Sequence, residues 1–364
     1  MAFNNSYMSV IGVVLLLSTT IGQAEAQPVA SRSKKQLHVP LFIFGDSLYD
    51  TGNNNYLNTT EPNQASLWPY GETYFEHPTG RYSNGRVIPD FIAQFAGMPL
   101  IPPFLQPGLH EYHYGVNFAS AGSGALVGTH PGKVIDLHAQ LRNYKKVETW
   151  FRDEFGNVEA QKRLSRAVHL FSVGLNDYFA AISKNISSNY VDIVIGNITT
   201  VIKEIYESGG RKFVFLTLLD LRFLPQSRLA ISKGQGRDFE EAASLQKQHN
   251  KHLLKVLVEL EKNLVNFKYL LYDFNQSFLM RVRNPTHYGF IEEKAACCGF
   301  GKFRGSFMCG LLGKFELCKK PDEYLFWDSA HPTQKVDKQM AHEMWRGRAH
   351  QIGPYSVKQL FHLD

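Results

Sequence analysis

Short uninterrupted apolar runs punctuate this chain at long intervals, and stretches with helical spacing fill the gaps between them. Leu41 to Phe44 is the first run, and Gly45 ends it. Gly115 to Ser120 is the second, Ala167 to Val173 the third, Phe213 to Leu216 the fourth and Tyr269 to Tyr272 the fifth. Runs that are apolar throughout, rather than at alternate positions, suit strands covered on both faces. Between the runs, Val87, Ile88, Phe91, Ile92 and Phe95 recur at helical spacing before a stop at Gly97. Leu137, Leu141, Tyr144 and Phe151 do the same, as do Val191, Val194, Ile195, Ile198, Ile202 and Ile205 ahead of Gly209-Gly210. Residues 238–263 read as a long helix, and a C-terminal helix begins near Lys335. The alternation predicts an α/β fold, a parallel five-stranded sheet with helices on both faces.

Such sheets place their ligand sites beyond the carboxyl ends of the strands. Gly45-Asp46-Ser47, Ala121-Gly122-Ser123-Gly124 and Gly174-Leu175-Asn176-Asp177 each follow a strand directly, so the topology gathers them at one edge. Residues 50–86, rich in Asn, Gly, Pro and Tyr, read as a long loop that begins at the same edge. No internal repeat or low-complexity linker interrupts the chain, so residues 27–364 read as a single domain.

The first 26 residues stand apart. Val10 to Leu17 is an apolar run too short to span a bilayer, and Ala24-Glu25-Ala26 fits a signal-peptidase site, which predicts a signal peptide over 1–26 and secretion. Cysteine usage agrees. Cys297, Cys298, Cys309 and Cys318 fall within one short stretch that has no Cys-x-x-Cys spacing, so two disulfides stapling a loop are expected rather than a metal site. Pairing the neighbours Cys297 and Cys298 would be strained, which leaves two crosswise connectivities open. Sequons stand at Asn58, Asn185, Asn197 and Asn275, whereas Pro285 excludes Asn284.

Bulk composition, 44% hydrophobic and 20% charged, is globular. The net charge of +6 comes from basic residues interleaved with acidic ones, without the basic stripe and stacking aromatics that nucleic-acid binding requires. Neither nucleic acid nor stable membrane insertion is expected as a partner, and the protein is read as a monomer.

Ser47 is the candidate nucleophile. A serine hydroxyl attacks only when a base removes its proton, and Asp328-Ser329-Ala330-His331 supplies an imidazole with a carboxylate three residues before it. Spaced i and i+3 on one helical turn, Asp328 would hold the Nδ1–H of His331 and leave Nε2 for Ser47; Asp328 could also cap a helix that starts at Pro332. The remaining histidines, among them His249 and His252 on a polar helix, read as solvated surface. The Ser47 and Gly122 N–H groups and the Asn176 amide are the candidate oxyanion donors. The aromatic loop containing Trp68, Tyr70, Tyr74, Phe75 and Tyr82 either lines an acyl pocket or covers the core.

Taken together the motifs are recognisable. Gly45-Asp46-Ser47-Leu48 with Asp50-Thr51-Gly52-Asn53-Asn54-Asn55 resembles the first block of the plant GDSL esterase/lipase family, part of the SGNH hydrolases. Asn117 to Gly122 is similar to its second block, Gly174 to Asp177 to its third and Asp328 to Thr333 to its fifth, while Cys297-Cys298-Gly299 resembles its cysteine-bearing loop. Gln334 stands where many relatives carry Glu, and Leu175 where Gly or Ser is frequent. The resemblance implies a flavodoxin-like three-layer α/β/α fold with Ser47 as nucleophile, His331 as base, Asp328 as its partner, and Gly122 and Asn176 as oxyanion donors. It implies a secreted hydrolase of small-molecule or lipid esters that needs no cofactor and no metal. An acyltransferase built on the same acyl-serine is one alternative, and a non-catalytic defence or binding protein is the other. Gly-x-Ser-x-Gly is absent, which separates the chain from the α/β-hydrolase nucleophile elbow.

Overall fold

The computed structural model describes residues 38–363 apart from 60–63, 183, 185, 311, 312, 348, 349 and 351. The signal-peptide segment 1–26 and the sequon at Asn185 therefore lie outside the described residues. Five parallel strands form the central sheet: β1 (Leu41–Gly45), β2 (Gly115–Asn117), β3 (Val168–Ser172), β4 (Lys212–Leu216) and β5 (Lys268–Tyr272), in the order β2-β1-β3-β4-β5. This is the flavodoxin-like order, with its switch point between β1 and β3.

The helices are α1 (Ile88–Phe95), α2 (Leu137–Arg166), α3 (Leu175–Ala181), α4 (Tyr190–Glu207), α5 (Pro225–Ser232), α6 (Gly236–Asn263), α7 (Phe274–Arg283), α8 (Gln334–Arg346) and α9 (Val357–His362). α4 packs against both α2 and α6, while α8 packs against α1 and α9. These two groups are the outer layers that right-handed crossovers demand on opposite faces of the sheet.

Register explains the uninterrupted apolar strands. Phe44, Phe171 and Phe215 face one another across β1, β3 and β4, with centroids 4.8 and 5.0 Å apart. Two residues earlier along the strands, Phe42, His169 and Phe213 repeat the ladder at 5.4 and 5.2 Å. Each such side chain contributes about 1.5–3 kcal/mol by leaving water. His169 is fully buried within this stack, and its burial pushes the imidazole down to about 4, so it packs as a neutral ring.

Two expectations require correction, and α7 is a helix that the apolar spacing does not predict. Asp273 opens α7, and its side chain accepts from Gln276 N–H as an N-cap. His249 is fully buried rather than solvated, because it sits on the inward face of α6 with Nδ1 2.9 Å from the Tyr178 hydroxyl; burial pushes it down to about 3. His252, one turn later, is half-buried and pairs with Asp192. Asp328 lies in a turn and caps no helix, since α8 begins at Gln334 with Thr333 at its N-cap.

A small second core lies beside the sheet. Ala65, Tyr70, Tyr82, Ala121, Trp327 and the buried cysteines form it. The disulfides Cys297–Cys318 and Cys298–Cys309 close it, which is one of the two crosswise connectivities. Cys297 and Cys298 donate their N–H groups to Phe326 and Trp327 carbonyls, tying the cysteine loop to the strand that leads into Asp328.

Candidate active site

β1 ends at Gly45, whose φ of +140° and close approach to β3 (a Cβ would meet the Ser172 carbonyl oxygen at 2.1 Å) admit only glycine. The buried Gln140 of α2 seals this strand end, accepting from Gly45 N–H at 2.8 Å and donating to its carbonyl at 2.9 Å. Asp46 turns the chain by accepting from Leu48 N–H, which leaves Ser47 at the edge of an open cavity. Burial pushes the Asp46 carboxyl up to about 7, opposed by the Leu48 N–H and the charge of His331.

The other half of the site arrives from the far end of the chain. Asp328 Oδ1 accepts from the Ala330 and His331 N–H groups, both at 2.8 Å, and this Asx turn folds the side chain of His331 back toward its own carboxylate. His331 Nδ1 lies 2.8 Å from Asp328 Oδ1 and 2.9 Å from Oδ2. With Nδ1 so engaged, Nε2 faces Ser47 Oγ at 2.8 Å. Burial alone would push the Asp328 carboxyl up. The charge of His331 and hydrogen bonds from His331, Tyr70 and Ala330 outweigh it and hold the group below the ordinary carboxylate range. An ionised carboxylate behind an imidazole that touches a hydroxyl is an arrangement that can take a proton from that hydroxyl.

Gly122 and Asn176 line the same cavity as Ser47 and His331. Gly122 adopts φ +80°, and its carbonyl oxygen lies 2.8 Å from Nδ1 of His130, an exposed side chain at the cavity rim. Asn176 donates one amide hydrogen to the Ser123 carbonyl at 2.9 Å; a primary amide has a second hydrogen for the cavity. The cavity measures about 210 Å³. Much of its lining is apolar, including Phe179, Leu219, Leu224, Phe274, Phe278 and Met308. Of the aromatic loop only Tyr82 lines it; Trp68 and Tyr74 are exposed, and Tyr70 is buried in the second core. Met308, from the loop between Cys298 and Cys309, brings the disulfide segment to the cavity wall.

Several residues that hold the site together stand in the sequence only as parts of motifs, without a role of their own. Asp50 Oδ1 accepts from Gly52 and Asn53 N–H at 2.7 Å, and its Oδ2 from Ala121 N–H at 3.0 Å, so the first loop grips the residue before Gly122. Burial pushes this carboxyl up to about 6 despite those donors. Asn53 donates to the Asn117 and Ala119 carbonyls, and Asn54 to that of Ala121. The Asn-rich run after Ser47 is thus a polar clasp on the Gly122 segment. Asp177 closes the other side, accepting from Ala125 N–H, Leu126 N–H and the Thr129 hydroxyl. Among the remaining sequons, Asn58 is exposed, whereas Asn197 and Asn275 are half-buried with their side chains hydrogen-bonded.

The chain is similar to known proteins over most of its length. Residues 41–344 match the model of the GDSL-like Lipase/Acylhydrolase family. GDSL esterase/lipase 5 of Arabidopsis thaliana is 48% identical over 337 residues, covering 89% of this chain and 87% of that protein. The GDSL lipase of Tanacetum cinerariifolium is 42% identical over 353 residues, covering 97% and 93%. A protein named inactive GDSL esterase/lipase-like protein 25, also from Arabidopsis thaliana, is 36% identical over 333 residues, covering 89% of this chain and 75% of its own length. Among solved structures, a GDSL-like lipase from Parabacteroides merdae superposes at a TM-score of 0.35 with 15% identity, covering 84% of this chain and 93% of that one, too little to bear on the fold. Its matched length and its identity to these relatives place the chain in the GDSL-like lipase/acylhydrolase family of ester hydrolases.

Proposed function

We propose that this protein is a secreted serine esterase that hydrolyses carboxylic esters through an acyl-enzyme on Ser47. The observation that carries the reading is the unbroken relay Asp328–His331–Ser47, with contacts of 2.8 to 2.9 Å across residues 284 positions apart. His331 takes the hydroxyl proton as Ser47 Oγ attacks the ester carbonyl, and the Ser47 and Gly122 N–H groups with the Asn176 amide receive the developing oxyanion. The carbonyl–alkoxy bond breaks as His331 returns the proton to the departing alcohol. Water, deprotonated by the same imidazole, then releases the acid from Ser47. The relay fills every role, which favours activity over the inactive state named for one relative.

The largely apolar lining of the cavity suits a hydrocarbon acyl group, so the substrate class is a small or lipid ester with an aliphatic acyl chain. Secretion is supported by the apolar run before Ala24-Glu25-Ala26, by two disulfides and by the exposed sequon at Asn58. No helix among the described residues is long and apolar enough to cross a membrane. Hydrolysis of a p-nitrophenyl butyrate-type ester tests the reading: Ser47→Ala should lose activity by at least about 10⁴-fold with its fold intact. Activity near wild type in that variant would remove Ser47 from its role. Adding candidate alcohols to the assay separates hydrolysis from acyl transfer, since a transferase would make a new ester in place of free acid.

A further inference from the structure

We propose that Tyr70 is a positioning residue of the catalytic relay, its phenol hydroxyl acting through Asp328 to set the orientation and strength of His331 as a base. The proposal rests on the roles given above to Ser47, His331 and Asp328. Tyr70 Oη donates to Asp328 Oδ2 at 2.7 Å, and both residues are almost wholly shielded from solvent.

The two carboxylate oxygens are held differently. Oδ1 is fixed by backbone N–H groups of its own turn. Oδ2 receives the phenol, from a residue 258 positions away, and shares the imidazole N–H with Oδ1. The phenol therefore keeps the carboxylate plane from rotating about the bond that the Asx turn leaves free.

The ring itself is aimed by packing. Tyr82 meets it edge-on at 5.7 Å and Trp327 at 6.2 Å, within the small core that the Cys298–Cys309 disulfide closes. Burial and the charge of Asp328 hold the phenol far above its ordinary range, so it stays a donor wherever the enzyme works. Among the described residues, the titratable groups that face the relay are Asp46, which interacts with His331, Tyr82, which interacts with Asp328 and lies 4.6 Å from the His331 ring, and His130 at the rim of the same cavity.

A carboxylate deprived of one donor concentrates its charge on the remaining one and grips the imidazolium proton more tightly. Without the phenol, His331 therefore becomes competent as a base only at higher pH, and a looser carboxylate lowers the plateau rate. Substrate binding is untouched, because Tyr70 does not line the cavity.

The test is steady-state ester hydrolysis by wild type, Tyr70→Phe and Tyr144→Phe between about pH 5 and 9. Tyr144→Phe deletes another buried phenol, one that contacts His169 away from the site, and serves as the control for a purely structural loss. The expected result for Tyr70→Phe is a kcat lower by about tenfold, an unchanged KM, and an acid limb moved upward by about one pH unit, while the control keeps the wild-type profile. An unmoved acid limb in Tyr70→Phe, or a rise in KM with kcat retained, would overturn the proposal. So would the same upward shift in both variants. Labelling of each variant by a fluorophosphonate keeps the two readings apart: if wild type is not labelled at Ser47 the relay itself is wrong, whereas equal labelling with identical profiles defeats only the role of Tyr70.

Discussion

The two hydrophobic clusters of this protein are built on different logic. The large one fills both faces of the central sheet with aliphatic and aromatic side chains from strands and helices. The small one gathers single residues from four separate stretches, around 65–82, 121, 297–309 and 327, and is closed by disulfides. Ser47 stands in the turn just beyond strand β1 of the first, while Asp328 and His331 follow directly from Trp327 of the second. The relay thus bridges a thick core that sets stability and a thin one that aims the base. Damage to each should be felt differently: in the first mainly as unfolding, in the second mainly as lost turnover.

The largest effect on stability is expected from Phe213→Ala in the large core. Phe213 is fully buried between His169 and Phe267. Chemical denaturation should show a loss of about 3–5 kcal/mol, with kcat per folded molecule preserved. A proportionate fall in kcat would mean that the two clusters act as one.

The contrast also shows what was legible. The sheet, its helices and its functional edge could be read because continuous apolar runs and helical spacing are local patterns. Ser47, Asp328 and His331 were legible as partners from residue type and spacing, and their contacts are 2.8 to 2.9 Å. Tyr70 was not, since nothing near it in the chain tells a phenol that bonds a carboxylate 258 residues away from one that merely covers the core. The turn at Asp328 was misread as helical because i, i+3 spacing serves an Asx turn equally well. His249 is hard to place from the sequence because a polar helix still buries one face, and its nearest inward neighbours on the N-terminal side, Ala242, Ala243 and Gln246, are only faintly apolar. The polar clasp of Asp50, Asn53 and Asn54 is legible as motif but not as mechanism, because its partners are backbone N–H donors and carbonyl acceptors invisible to pattern.

A smaller loss of stability, about 2–4 kcal/mol, is expected when Cys298 and Cys309 are replaced together by serine. Here turnover should fall further than stability alone explains, by on the order of 10²-fold, because Tyr70 and Met308 lose their support. Full kcat in this double variant, at a temperature where it is folded, would deny the small core its part in aiming the base.

The smallest effect near neutral pH belongs to the buried imidazole of α6. The folded protein keeps His249 neutral down to about 3, whereas the unfolded chain takes up the proton near 6.5. Its contribution to stability is therefore complete above pH 6.5 and is lost as pH falls through that window. Glutamine does not titrate, so the stability gap between wild type and His249→Gln should narrow by about 1.4 kcal/mol per pH unit below 6.5. A gap that is constant with pH would show that His249 is charged or solvated in the folded state.

The central claim, that Ser47 is made nucleophilic by His331, is tested most directly by mapping a fluorophosphonate adduct by mass spectrometry in wild type and His331→Gln. A single adduct on the peptide containing Ser47 in wild type, formed at least about 10³-fold more slowly in His331→Gln, is the predicted result. An adduct on another residue, or equal labelling in both proteins, would contradict it.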